Sequence, residues 1–224
     1  RIGTGPAEIV ELPASSPDDH GSNVVWKIQL SREGDMTLDG LEKHRGDSAF
    51  WLRGALTEEE GRTAYVVDHL LGPWFSGLRV KEGVRFLGSV RGKDAFSSGN
   101  AEVAYSASAK AALRRDGEEW VFPLLTSRLT ATLAPLIERT LPVNLPSFWA
   151  PSTMERTWRI EAPANLRWSS VPENKSVTGS DPRFGSASLT FKLEGNTLVV
   201  KEVLRWDDHR ISVDRYKAWR SYLS

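Results

Sequence analysis

The stretch NVVWKIQLS, residues 23–31, alternates between apolar and polar side chains. Val24, Trp26, Ile28 and Leu30 fall on one face, and polar side chains occupy the other. This period of two predicts a β-strand with one buried face. The turn-forming residues REGD follow, and the next segment, MTLDGLEKH, has the pattern of an antiparallel partner. The start of the chain therefore predicts a sheet.

A second hairpin and a closing helix are predicted near the end of the chain. ASLTFKL and TLVVKEVLRW both have apolar side chains at alternating positions, and the residues EGN between them favour a tight turn. In the final segment, ISVDRYKAWRSYLS, the apolar residues Val213, Tyr216, Trp219 and Leu223 recur at helical spacing.

Between these sheets lies a helical section near residues 48–72. TEEE offers Thr57 as an N-cap with Glu60 three residues later, the pattern of a capping box. Gly72 and Pro73 are expected to end the helix.

These patterns predict a mainly β (α+β) fold with a few helices. We expect two packed antiparallel β-rich sub-domains, residues 1–140 with the helical insertion and residues 141–224 as a β-sandwich-like unit ending in a helix. The segment RTLPVNLPSFWAPS, with three prolines, is interpreted as the linker or crossover between them.

Composition excludes several classes of function. The formal net charge is zero, so no basic field attracts nucleic acid. No apolar run approaches the roughly 20 residues of a membrane-spanning helix, and we expect no membrane insertion. The chain has no cysteine, which excludes thiol catalysis, disulfides and cysteine-bound zinc.

The tripeptide Asp-Asp-His occurs twice, at residues 18–20 and 207–209. Both copies lie where turns or loops are expected, and such residues bond nearby backbone amides there. We therefore predict no metal and no cofactor. The alternative is a metal-dependent hydrolase in which the two copies converge; the residues concerned are Asp18, Asp19, His20, Asp207, Asp208 and His209.

No catalytic signature is found. The chain has no G-x-S-x-G, H-E-x-x-H, P-loop or dinucleotide-binding pattern, and its serines cluster in loops. Asp39, Glu42, His44 and Asp47 lie close together at a strand-to-helix junction, where carboxylates commonly cap helices. We expect no catalytic residues and no assembly of a nucleophile, a base and an orienting group.

Nine tryptophans is a high number for 224 residues. Tryptophan fills cores and also stacks on sugars. Trp51, Trp74 and Trp149 lie near helices and loops rather than on alternating strands, so they are the candidates for a surface role. A carbohydrate-binding module that uses exposed tryptophan is therefore a second alternative.

The order of segments resembles a known family. RTLPVNLPSFW, GSASLTFKLEGNTLVVKEVLRW and DDHRISVDRYKAWRSYL follow one another near the end, and TGPAEIVELPASSPDDHGSNVVWKIQLSREGDMTLDG stands near the start. This resembles the C-terminal region of large bacterial proteins that have a transglutaminase-like, papain-fold core flanked by domains of uncharacterised function. The Cys-His-Asp triad of that family belongs to the core, and this chain, without cysteine, carries none of it.

The resemblance implies a non-catalytic accessory region of an exported protein of the periplasm or cell envelope. Because the chain begins with Arg1, we expect it to be a piece of such a protein. The expected partners are the remaining domains of the same polypeptide, or an envelope protein or glycan. The outer edge of the stripe formed by Tyr216, Trp219 and Leu223 is the predicted contact with the rest of the protein.

Overall fold

The computed structural model describes residues 15–81, 83–87, 99–125, 138–145 and 150–223. Within them the protein is mainly β, with a helical section after the second strand and a helix at the C-terminal end. The predicted fold class is confirmed.

Nine of the described strands form one large sheet in the order β10-β11-β12-β9-β1-β2-β5-β3, with β4 also paired to β5. Two further pairs, β6 with β7 and β8 with β13, lie apart from it. The strands are β1 Gly21–Leu30, β2 Met36–Arg45, β3 Arg79–Val80, β4 Arg85–Phe86, β5 Asn100–Ala109, β6 Arg114–Asp116, β7 Glu119–Val121, β8 Val143–Asn144, β9 Ser152–Glu161, β10 Lys175–Thr178, β11 Ser186–Glu194, β12 Thr197–Trp206 and β13 Arg210–Ile211.

The helical insertion follows β2 without a loop. It consists of α1 Gly46–Ala55, α2 Glu59–Tyr65 and a π-helical turn, Val66–Leu71. The closing helix is α3 Val213–Tyr222, and a short 3-10 turn spans Pro182–Phe184. Both predicted helical regions are therefore present, and no helix among the described residues has the length and apolarity to cross a bilayer.

The large sheet is mixed. β1 pairs with β2 antiparallel and with β9 in parallel, so that Trp26 lies beside Trp158. A parallel pair needs a long crossover, and the chain between β1 and β9 provides one. The described strand pairs within residues 1–140 and within residues 141–224 are antiparallel, as expected, and the parallel pair is the one that joins the two parts.

Two hydrophobic clusters stabilise the fold. The larger is centred on Trp26 and Trp158, both fully buried, and includes residues on both sides of position 140. The smaller contains Phe184, Trp206 and Trp219 and lies wholly after position 140. One sheet passes through both parts. A sub-domain boundary at residue 140 stays a prediction.

Candidate functional site

The two Asp-Asp-His tripeptides have local structural roles. His20 Nδ1 accepts a hydrogen bond from the backbone N–H of Asp47, at 3.3 Å, and so holds the start of α1. Asp19 accepts from the backbone N–H of Ser16 at 2.9 Å. Asp208 accepts from the backbone N–H of Arg210 at 3.0 Å. These are the turn contacts that the sequence predicts for aspartate.

One arginine brings the two tripeptides near each other. Arg205 Nη1 is 3.3 Å from Asp18 Oδ1, and Arg205 Nε is 2.8 Å from Asp207 Oδ1. A cation thus stands between the two carboxylates. In the part of the chain that the structure describes, no group of three histidine, aspartate or glutamate side chains is arranged to hold a metal ion.

The main cavity has a volume of about 580 Å³. Its aromatic walls are formed by Trp26, Trp51, Tyr65 and Trp74. Its polar lining includes the side chains of Glu42, His44, Ser48, His69 and Arg156. A cavity of this size, with aromatic walls and a few polar groups, is typical of ligand-binding sites.

The register of the sheet explains which side chains meet in the cavity. Val24 on β1 lies beside Glu42 on β2 and beside Arg156 on β9, and Arg156 in turn lies beside Glu202 on β12. The next row, two residues along β1, contains Trp26 and its neighbour Trp158. Side chains two residues apart on a strand point to the same face of the sheet. The cavity therefore has a polar row next to an aromatic row.

The sharp passage from β2 to α1 places the helix over this face. Gly46 has φ +55°, and a Cβ there would lie 2.3 Å from His20 Nδ1. Glycine is required by both the backbone conformation and the close approach. The turn brings Ser48 and Trp51 of α1 to the cavity that Glu42 lines from β2.

Glu42 is a buried carboxylate, 3% exposed, with two partners. Its Oε1 accepts a hydrogen bond from the Tyr105 hydroxyl at 2.5 Å, and its Oε2 is 3.0 Å from His44 Nε2. The Tyr105 hydroxyl itself accepts from Trp26 Nε1 at 2.9 Å. A buried charge needs such partners, and this network satisfies both carboxylate oxygens.

Gly40 makes room for this arrangement. It lies beside Tyr105 in the register, and a Cβ at position 40 would come within 2.2 Å of the Tyr105 ring. Any side chain there would displace the phenol from Glu42.

His44 continues the network to Ser48. His44 Nδ1 is 2.7 Å from Ser48 Oγ. Because a carboxylate can only accept, the proton of the neutral imidazole lies on Nε2, facing Glu42. Nδ1 then accepts a hydrogen bond that the Ser48 hydroxyl donates. The structure thus assembles a serine, a histidine and a carboxylate, which the sequence analysis did not expect.

Arg156 forms the other polar wall. Its Nη1 lies 2.7 Å from Glu202 Oε2, and the side chains of this pair are only 13% and 5% exposed. Its guanidinium also lies 4.2 Å from the centre of the Trp74 ring, a cation–π contact. Arg156 therefore holds the Trp74 ring in place, and its own charge is paired with that of Glu202.

Two phenols near Glu42 have shifted pKa values. Burial, followed by the Glu42 charge and the hydrogen bond to it, raises the pKa of Tyr105 well above its ordinary value. Burial, with a smaller contribution from Glu42, also raises the pKa of Tyr65. Both phenols therefore stay protonated at neutral pH, and Tyr105 remains a donor to Glu42.

The sequence-predicted surface residues fall into three groups. Trp51 is 60% exposed and Trp74 is partly buried, and both line the main cavity. Trp149 lies outside the described residues.

The third group is the stripe on α3. Tyr216, Trp219 and Leu223 are at most 2% exposed and belong to the smaller hydrophobic cluster. These three side chains hold α3 on the fold, and almost none of their surface can contact a partner.

The sequence predicts that Glu42 and His44 lie near each other at a strand-to-helix junction, where carboxylates commonly cap helices, and it does not single out Ser48 or Arg156. A signal for the first two was present. Met36, Leu38, Gly40, Glu42 and His44 share one phase of the β2 alternation, so the carboxylate and imidazole fall on the core face. The approach of β9, which brings Arg156, has no such local signal.

Comparison with protein-family models gives a match to the C-terminal part of the chain. Residues 119–224 match a family described as a domain of unknown function with a solved structure, DUF3858. The match covers a little under half of the chain, from β7 through α3, and includes Arg156 but not Glu42, His44 or Ser48. A search of curated proteins finds no match.

Proposed function

We propose that the chain is a non-catalytic binding and interaction region of a larger exported bacterial protein with a transglutaminase-like core. In this proposal it docks on that core or binds a partner in the cell envelope. The order of segments that resembles such proteins supports the assignment. The match of the C-terminal part to an uncharacterised domain is compatible with it.

The main cavity is the observation that carries the proposal. It is lined by residues of the neighbouring strands β2, β1 and β9 and of the helical section that follows β2, where residues inside and outside the matched domain meet. Ligand sites commonly form where parts of a protein join. Trp51, at 60% exposure, lies at its opening and gives an incoming partner an aromatic contact.

The non-catalytic part of the proposal rests on the start of α1. Acyl transfer to Ser48 would need hydrogen-bond donors for the oxyanion, and backbone amides commonly provide them. The backbone N–H of Gly46 donates to the Gly99 carbonyl at 2.8 Å, and that of Asp47 donates to His20. These two amides near Ser48 therefore already donate to other acceptors and are not available to an oxyanion.

The metal-dependent hydrolase is the weaker alternative. Asp18 and Asp207 share the Arg205 cation, which would have to leave before a metal could bind between them.

Docking is tested by mixing the chain with the separately expressed transglutaminase-like core of its parent protein. Sedimentation velocity at high micromolar concentration should show a complex, weakened by Trp51→Ala. Val177→Ser is the matched control, because Val177 is 52% exposed but lies on β10 at the far edge of the sheet. Absence of a complex would reject docking on the core and leave an envelope partner.

Catalysis is tested separately with p-nitrophenyl acetate. The chain and its Ser48→Ala variant should hydrolyse this activated ester at the same rate. A rate that falls with Ser48→Ala and with His44→Gln would contradict the non-catalytic proposal.

A further inference from the structure

The charges in the main cavity are already paired within the protein. Glu42 is bonded to Tyr105 and His44, and Arg156 is bonded to Glu202. An ionic ligand would have to break one of these buried pairs, at considerable cost. The cavity is therefore suited to a neutral ligand.

Ser48 offers that ligand a hydrogen-bond acceptor. In the neutral imidazole of His44, whose proton lies on Nε2 facing Glu42, Nδ1 accepts the proton of the Ser48 hydroxyl. The remaining lone pairs of Ser48 Oγ can then accept from a ligand group in the cavity. A ligand hydroxyl is the complement of such an oxygen.

Trp51 offers a flat apolar surface close to this acceptor. Ser48 and Trp51 lie three residues apart on α1, and residues at this spacing share one helix face. Both line the cavity. A ring with apolar C–H groups on its face and hydroxyls at its edge can contact both at once.

We propose that the main cavity binds a neutral sugar ring of a glycan, with Trp51 on the face of the ring and Ser48 Oγ accepting from one of its hydroxyls. This inference rests on the proposed function and names the ligand of the same cavity. His44 and Glu42 act as positioning residues that fix the direction of the Ser48 proton.

The test is isothermal titration calorimetry of the whole chain with three neutral disaccharides: cellobiose, maltose and N,N′-diacetylchitobiose. At least one should bind. Trp51→Ala should weaken that binding about tenfold or more, as expected for a central aromatic contact. Ser48→Ala should weaken it about threefold to tenfold, the effect of one hydrogen bond.

Phe50→Ala is the matched control. Phe50 is 56% exposed and adjacent to Trp51, with its ring 6.1 Å away, but it does not line the cavity. This variant should bind the sugar as the parent chain does. Equal losses with Phe50→Ala and Trp51→Ala would overturn the proposed site.

Two further outcomes would overturn the inference. The first is that none of the three disaccharides binds at about 10 mM, far above the dissociation constants of ordinary ligand sites. The second is that a fluorophosphonate probe labels Ser48, because an acyl-accepting serine is a nucleophile rather than an acceptor for a sugar hydroxyl. A complex with the core, without sugar binding, would reject this inference and leave the proposed function standing.

Discussion

At the scale of single residues, the cavity depends on one buried carboxylate. Glu42 occupies a core position of β2, and its two oxygens are bonded to groups from different elements. Removing one partner of a buried charge costs more than an ordinary hydrogen bond contributes, because the charge is left underbonded.

Tyr105→Phe should therefore destabilise the protein by about 1–3 kcal/mol. The change removes the donor to Glu42 and the acceptor of Trp26 Nε1 together. Urea denaturation followed by circular dichroism measures the loss. Tyr65→Phe, which removes a half-buried phenol from the same cavity, is the control and should cost less than about 1 kcal/mol. Equal costs would show that the network does not stabilise the fold.

Asp181 is a second residue with a testable environment. The side chain and backbone N–H of Arg183, with a smaller effect of Arg215, lower the pKa of Asp181 to about 2. The stabilising contribution of the carboxylate is thus present above its ordinary pKa of 3.8 and is lost as the pH falls towards 2.

A carbon-13 NMR titration of the Asp181 carboxyl should give a midpoint near 2. In Arg183→Gln the midpoint should rise towards 3.8, because the substitution removes the hydrogen bond from the Arg183 side chain, the largest of the contacts that lower the pKa of Asp181. A midpoint near 3.8 in the unmodified chain would contradict the ion pair between Asp181 and Arg183.

At the scale of elements, the parallel pairing of β1 with β9 forms the floor of the cavity. The first residue of β1, Gly21, has φ +125°, and a Cβ there would lie 1.9 Å from the Thr153 carbonyl oxygen. The start of this pairing therefore tolerates only glycine.

Gly21→Ala should destabilise the protein by about 2 kcal/mol or more, because neither the backbone conformation nor the space accommodates a methyl group. Gly54→Ala is the control within α1, where a Cβ meets nothing within 4 Å. It should stabilise the protein by about 0.5–1 kcal/mol. Thermal unfolding measures both, and a neutral Gly21→Ala would show that β1 and β9 are paired differently.

Local patterns predicted the elements better than their contacts. The alternation of residues 23–31 identified β1 and its buried face, and the EGN turn identified the β11–β12 hairpin. The capping box was wrong: Thr57 Oγ1 donates to the Arg53 carbonyl at 2.8 Å, and α2 starts later, after Glu58. A hydroxyl near the end of one helix can bond back to it instead of capping the next.

Long-range contacts explain the features of the structure that the sequence patterns did not predict. The apolar stripe on α3 predicted the helix, but its burial depends on Phe184 and Trp206, which belong to other segments. In the same way, Arg156 reaches the cavity only because β9 lies beside β1. Neither contact has a period or a motif that one sequence can reveal.

At the scale of the whole molecule, one sheet joins the parts that the sequence analysis separated. Trp26 and Trp158, from the two predicted sub-domains, have ring centres 5.2 Å apart in the larger hydrophobic cluster. Each of these two tryptophans packs against a ring from the other part. The main cavity, formed at the same junction, exists only when both are folded.

We therefore expect a single cooperative unfolding transition. Urea curves measured by tryptophan fluorescence and by far-ultraviolet circular dichroism should coincide, as for a two-state protein. A fragment of residues 1–140 should not show the tryptophan emission spectrum of the intact, folded chain. Two separated transitions would support a sub-domain boundary near residue 140 with independent folding.

The most direct test of the proposed binding site is the indole N–H spectrum of the nitrogen-15-labelled chain, with signals assigned by single Trp→Phe variants. On addition of the proposed transglutaminase-like core or of a disaccharide that binds, the signals of Trp51 and Trp74 should change most. The signals of Trp120 and Trp168, which line a second cavity of about 170 Å³, should stay in place. Binding that leaves Trp51 and Trp74 unchanged, or moves only Trp120 and Trp168, would contradict the claim that the main cavity is the binding site.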